Sequence, residues 1–333
     1  MPFRYPPARV DPLVESLHGV PVADPYRWLE DAGSDETRAW VEAQNALTRS
    51  ALDGPARQAL VEELTARFDY PRTVAAYRRH DRYFFSHNPG LLNQPILYVR
   101  DGHDGTPRVL LDPNRLSDDG TTALTAIAAS PDGSLLAYAI SEHGSDRQTI
   151  RIRRVDDGVD LADRLDWVKF ASIAWTPDNR GFYYLRFPEP GTVPPEDEQY
   201  FGRIYVHRCG EAQALDALVF ETPGEKEIVP LVDVTDDDRY AVITAQRGAS
   251  DDSEIHLVDR HGDPRPRPLF TGFDAAYEFI GAADGRLYFR TTRDAPMGRI
   301  VAVEPDVPGV TPREVVPESA HRLSAVAIAG RCE

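Results

Sequence analysis

A serine hydrolase needs its nucleophile on a sharp strand-to-helix turn, written G-x-S-x-G in sequence. No such pentapeptide occurs in the 333 residues. No P-loop occurs, and no G-x-G-x-x-G follows a strand-like run. The nine histidines are scattered, without H-x-H or H-E-x-x-H spacing, so a metallohydrolase centre has no support. Two cysteines, Cys209 and Cys332, are too few for a disulfide scaffold or a cysteine-based zinc site. Cys209 lies in YVHRCGEA with only Arg208 beside it and reads as an unreactive small side chain. The clusters Asp236-Asp237-Asp238 and Asp251-Asp252 lack calcium-loop spacing and read as solvated turns. Paired glycosidase carboxylates stay a remote alternative, because their separation is not written in a sequence. No catalytic residue, metal or cofactor is therefore expected.

Trp28, Trp40, Trp167 and Trp175 are expected in the core, where a large apolar ring contributes most. The composition sets further bounds. The 37 basic side chains face 54 acidic ones, a net charge of −17, which argues against nucleic acid or an anionic membrane as main partner. Charged residues make up 27% and hydrophobic ones 41%, as in an ordinary globular chain with ample core. No apolar run approaches the ~20 residues that span a bilayer. The opening MPFRYPPARVDP has no apolar signal region, so a cytoplasmic location is expected. Lys169 and Lys226 are the only lysines, which reads as codon bias without functional weight.

Residues 1–72 differ in texture from the rest. Val10 to Asp31 is rich in proline and aspartate and reads as an irregular arm. Ser34 is placed as a helix N-cap, with Asp35 and Glu36 in a first turn that favours negative charge. Trp40, Ala43 and Leu47 then make one helical stripe. Pro55 opens a second helix striped by Leu60, Val61, Leu64 and Phe68, which ends before Tyr70-Pro71.

Residues 73–333 read as short strands between turns. Asp81, Asp132, Asp178, Asp237 and Asp284 each mark a turn before an apolar strand, at separations of 51, 46, 59 and 47 residues. A repeat of that period with several strands per unit is the signature of β-propeller blades. Five units are visible. The proline-rich, acidic run 187–202 is expected to be an exposed loop, and 223–234 mixes charge with a strand. HRLSAVAIAG (321–330) reads as the start of another alternating strand, and the chain stops three residues later. Such a stop would leave a sheet edge unpaired.

The run HGVPVADPYRWLEDAGSDETRAWVEAQNALT (18–48) closely resembles the N-terminal signature of the prolyl oligopeptidase family. Its core is His18-Gly19, Asp24-Pro25-Tyr26, Trp28-Leu29-Glu30-Asp31, Thr37 and Gln44-Asn45. Residues 82–101, 144–158, 168–190 and 289–301 resemble later propeller stretches of the same family, in register over essentially the whole chain. The HG…DPY.WL element is shared with the oligopeptidase B group, but WLED and the YPPAR opening lean towards prolyl oligopeptidase proper.

The resemblance implies a mainly β fold: an N-terminal α-helical arm, then an incomplete β-propeller of about five of the family's seven blades. It also implies a serine peptidase that cleaves short peptides after proline, with the propeller gating entry. The family's Ser-Asp-His triad sits in a C-terminal α/β-hydrolase domain, outside everything that aligns here. The chain alone is thus expected to be inactive. Its helices would lack the hydrolase they cover, and marginal stability or association follows. By the same resemblance, Phe170 in Val168-Lys169-Phe170-Ala171-Ser172 lines an outer substrate subsite, with Val229 and Ala249 near two other subsite positions. Phe170 is equally readable as a blade-core aromatic. The partners implied are short proline-containing peptides, given a hydrolase domain, or a separate hydrolase chain. Three readings stay open: the N-terminal portion of a prolyl oligopeptidase, a free-standing binding module, and one half of a split enzyme. A stop inside a strand favours the first.

Overall fold

A computed structural model describes residues 3–307, 309 and 311–328. Two compact units divide between Tyr70 and Pro71.

The first unit opens with a hairpin that the sequence reading took for an irregular arm. Strands β1 (Val14–Leu17) and β2 (Val20–Ala23) pair antiparallel around His18-Gly19. Both turn residues have positive φ, 51° and 83°, as a two-residue hairpin turn requires. A 3-10 turn, Arg27–Glu30, follows, and Arg27 bonds Asp24 at 2.6 Å and Glu15 at 3.1 Å. Helix α1 (Asp35–Leu52) begins where Ser34 Oγ accepts the Thr37 amide at 3.2 Å. Helix α2 (Pro55–Phe68) starts on proline.

Several residues of the 18–48 signature thus have local structural work. Thr37 Oγ1 donates to the Trp28 carbonyl, Trp28 Nε1 to the Arg9 carbonyl, and Gln44 Nε2 to the Pro6 carbonyl. The tryptophan expectation fails here. Trp28 and Trp40 are only half-buried. Leu60, Val61, Leu64 and Phe68 are all exposed.

The second unit is five consecutive antiparallel sheets. The first holds β3 (Arg72–Thr73), β4 (Tyr77–Arg79), β5 (Arg82–Asn88), β6 (Ile96–Asp101) and β7 (Arg108–Leu111). The second holds β8 (Ala123–Ala129), β9 (Leu135–Ser141), β10 (Gln148–Arg154) and β11 (Asp160–Val168). The third holds β12 (Ile173–Trp175), β13 (Gly181–Arg186), β14 (Arg203–Arg208) and β15 (Ala217–Phe220). The fourth holds β16 (Ile228–Val234), β17 (Tyr240–Arg247), β18 (Ser253–Asp259) and β19 (Arg267–Phe270). The fifth holds β20 (Tyr277–Ala283), β21 (Arg286–Thr291), β22 (Arg299–Val303) and β23 (Arg313–Val316). Each is an up-and-down meander, the form of a propeller blade.

All five marker aspartates fall in the turn between the first and second long strands of a blade. In blades two to four the turn is built alike. A hydroxyl of Ser130, Thr176 or Thr235 donates to the aspartate two residues on, at 2.6 Å each. The same carboxylate accepts the amide of Ser134, Arg180 or Arg239. In blade five, Asp284 and Gly285 both take positive φ in a two-residue turn.

The cores lie between blades. Successive side chains of a strand point to opposite faces, so the second strand of a blade feeds two cores. Ala241, Ile243 and Ala245 of β17 pack towards blade three, while Tyr240 and Val242 pack towards blade five. Ala137 and Ala139 of β9 share a core with Trp175, Phe182 and Tyr184 of blade three. Leu136, Tyr138 and Ile140 share one with Phe84, Leu97 and Val99 of blade one. These strands are therefore apolar on both faces, where the sequence reading expected one apolar face. Polar pins cross the same seams: Trp175 Nε1 donates to the Ala128 carbonyl at 2.8 Å, and Arg260 Nη1 to the Tyr183 hydroxyl at 2.6 Å.

Residues 322–328 do not form the strand that alternation predicted. Alternation fixes which way side chains point, whereas a strand also needs a ladder partner. This segment bonds irregularly instead, with the Leu323 amide on the Met297 carbonyl, and Ile328 fills the space beside Gly281. Residues 329 and 330 and Cys332 lie outside the described residues.

Candidate functional site

Within the propeller unit, the strand directions define two faces. The first strands of the blades start at one face and end at the other.

Where they end, a cavity of about 430 Å³ is lined from four blades, by Arg78, Arg79 and His80, by Ala128 and Pro131, by Trp175, and by Asp233 and Asp236. Asp233 is exposed to this cavity, and the protein mass around its carboxyl raises its pKa by desolvation. The cavity has basic groups from blade one and acidic groups from blade four.

Where they start, the structure places all three sequence-predicted subsite residues. Phe170 is in the β11–β12 connection, Val229 is the second residue of β16, and Ala249 is in the β17–β18 turn. Val229 pairs with Gln246 across the β16–β17 ladder, so Val229 and Ala249 share one end of one blade. Ser172 Oγ accepts the Val232 amide at 3.3 Å, which ties the Phe170 connection to the same blade. Phe170 is 60% exposed with φ 50°, so it is not a blade-core aromatic. Val229 is half-buried against the core between blades three and four, and Ala249 is exposed. Trp167 is also only half-buried, stacked on the Arg186 guanidinium at 4.8 Å, which leaves Trp175 as the one tryptophan in the core.

The strongest buried electrostatic feature lies elsewhere and was missed from sequence. His207 on β14 is fully buried, with Nδ1 2.8 Å from Asp216 and Nε2 3.0 Å from Asp163 on β11. Burial alone would lower its pKa; the bonds to Asp216 and Asp163 outweigh that and raise it. The Tyr184 hydroxyl donates to the other Asp216 oxygen at 2.7 Å, and Asp163 Oδ2 is buried without a hydrogen-bond partner among the described residues. A signal existed: Asp163 alternates with Leu165 on the inward side of β11.

This cluster is not a hydrolytic triad. Both imidazole nitrogens are engaged by carboxylates, so neither is left to take a proton from a hydroxyl. Thr73 Oγ1 and His87 Nδ1 do meet at 2.8 Å, but they are exposed, and among the described residues no carboxylate orients that ring. Cys209 packs beside the cluster, where burial and then Asp163 push its thiol up to about 12. That suits the unreactive role expected of it. Among the described residues, no group of three or more His, Cys, Asp or Glu is placed to hold a metal ion. Among the described residues, no helix is long and apolar enough to cross a membrane.

Residues 5–331 match the family described as prolyl oligopeptidase, N-terminal beta-propeller domain. Prolyl oligopeptidase A of Galerina marginata is 33% identical over 98% of this chain and 49% of its own length. Prolyl endopeptidase of Elizabethkingia meningoseptica is 33% identical over 96% of this chain and 46% of its own. A solved prolyl endopeptidase superposes with a TM-score of 0.90 at 34% identity, covering 98% of this chain and 48% of that one. Prolyl oligopeptidase B of Galerina marginata, solved bound to a 35-residue hydrolysis and macrocyclization substrate, superposes at 0.84 with 27% identity, again over 98% and 49%. The chain spans about half the length of the curated relatives it matches.

Proposed function

The chain belongs to the prolyl oligopeptidase family as its N-terminal β-propeller domain, and we propose that it forms the substrate-admitting half of a serine-type endopeptidase that cleaves short peptides after proline. One observation carries this reading: the match runs over nearly the whole chain while reaching only about half of each relative. The chemistry then belongs to a C-terminal α/β-hydrolase region, and this chain alone is inactive. No elbow serine occurs in it, and its buried histidine is committed to two carboxylates. The propeller restricts entry to short peptides, and Phe170, Val229 and Ala249 form the peptide-facing wall opposite the hydrolase. The exposed stripe of Leu60, Val61, Leu64 and Phe68 on α2 suits a helix that covers such a domain.

The test is activity labelling of the native gene product with a fluorophosphonate, which reacts with activated serines, alongside turnover of a proline-containing reporter peptide. Labelling together with cleavage after proline is expected. A native product that neither labels nor cleaves would favour a free-standing binding module. Labelling of a separate co-purifying chain would favour a split enzyme.

A further inference from the structure

The proline-rich run 187–202, between β13 and β14, is held at three consecutive residues. The Asp197 carboxylate meets Lys226 Nζ at 2.7 Å, Glu198 meets Arg147, and the Gln199 amide oxygen meets Lys169 Nζ. Each basic group comes from a different connection: Arg147 from β9–β10, Lys169 from β11–β12, and Lys226 from β15–β16. The chain's only two lysines both hold this triplet.

Lys169 is the unusual member. The residue is 4% exposed, yet among the described residues its ammonium has no carboxylate partner. Asp146 and Glu198 act on it only through space, and Glu198 is bonded to Arg147. Lys169 Nζ instead lies 5.5 Å over the Phe187 ring. Burial and then Arg147 push its pKa down. A buried cation bonded only to a neutral amide is costly, so folding economy alone does not explain it.

Its location does. Phe170, the next residue, is 60% exposed in a left-handed turn. On the far side, the Ala171 amide donates to Gln148 Oε1 at 3.1 Å and Ser172 Oγ accepts the Val232 amide. The turn is thus pinned after Phe170 by Gln148 and Val232, and before it by Lys169. We propose that Lys169 is a positioning residue for Phe170: with Arg147 and Lys226 it clamps Asp197-Glu198-Gln199, and the clamp fixes the turn that displays the aromatic ring. This rests on the reading of Phe170 as peptide-facing.

Hydrogen exchange on the chain as it stands tests the clamp without any substrate. In Lys169→Met, the amides of Ala171 and of 197–201 exchange about tenfold faster, while β13 and β17 keep their protection. Because a change at a buried position can unfold the blade, Gln199→Ala, on the exposed side of the contact, is measured in parallel and gives the same local increase. Unchanged exchange at Ala171 in Gln199→Ala overturns the proposal. A kinetic arm uses the complete peptidase and a proline-containing peptide. Lys169→Met and Phe170→Ala both raise KM and leave kcat unchanged. A raised KM in Phe170→Ala alone also overturns the positioning role. An unchanged KM in Phe170→Ala instead contradicts the peptide-facing reading of that residue.

Discussion

Nε2 of His207 lies 3.0 Å from Oδ1 of Asp163, although the two residues belong to adjacent blades and are 44 positions apart. With Asp216 on the other nitrogen, the imidazole is a clamp across the seam between blades two and three. For both ring nitrogens to donate, the ring must carry its second proton.

That requirement gives the chain a pH dependence of definite sign. The folded pKa of His207 is raised above 6.5, so its contribution is full below the unfolded value and is lost as pH rises through the folded one. The urea midpoint of the propeller unit is therefore expected to fall as pH rises through that range. Asp163, Asp216, Tyr184 and Cys209 are the titratable groups packed nearest the ring. His207→Ala strands the two carboxylates and is expected to cost about 3–5 kcal/mol. His207→Gln removes the alkaline slope. A slope that survives this substitution contradicts the assignment.

Asp132 and Asp178, in two of the blade turns, act in the opposite direction. Burial alone would raise the Asp178 pKa, but the bonds from Thr176 and the Arg180 amide bring it below 3.8. Its contribution is present above that value and is lost as pH falls through the lowered folded pKa. Asp178→Ala is expected to cost about 1 kcal/mol at neutral pH. Equal stability of variant and parent in urea would remove the turn from the account.

Trp175→Phe keeps most of the ring's contact with Phe182 but loses the bond to the Ala128 carbonyl, the pin between blades two and three. A loss of about 0.5–1.5 kcal/mol is expected, the net worth of one hydrogen bond across the seam. Phe170→Ala makes a useful control. That ring is exposed, so stability should change by less than about 0.5 kcal/mol. A large loss there would mean that the ring packs and does not face a peptide.

Helix α2 presents Leu60, Leu64 and Phe68 to solvent at 58%, 51% and 53% exposure. The isolated chain should bind a dye such as ANS or self-associate, and Leu64→Gln with Phe68→Gln should reduce both. Sharp monomeric unfolding without dye binding would show that the stripe needs no cover.

These features differ in how far sequence could reveal them. Asp132, Asp178 and Asp237 were legible because their hydrogen-bond partners sit two residues away, and Asp284 because Gly285 follows it in a two-residue turn. Ser34 was legible as a cap for the same reason, with its partner three residues on. The β1–β2 hairpin was not, since proline and aspartate around four-residue strands hid the pairing. The His207 cluster joins residues 44 apart, and its one local sign is an aspartate, Asp163, on the inward side of β11. Trp28 and Trp167 were misjudged because ring size predicts burial only on average, and arginine faces served instead. The scarcity of lysine gave no hint that both of them hold one loop, at Asp197 and Gln199. Phe170 came to notice through resemblance, and the structure adds that its ring is displayed.

The intact mass of the native gene product, measured from cell extract, tests the central claim most directly. A half-length match to every relative compared predicts a mass near twice 37.1 kDa, with the hydrolase region downstream. A mass of 37.1 kDa would contradict the reading of this chain as one half of a single peptidase polypeptide.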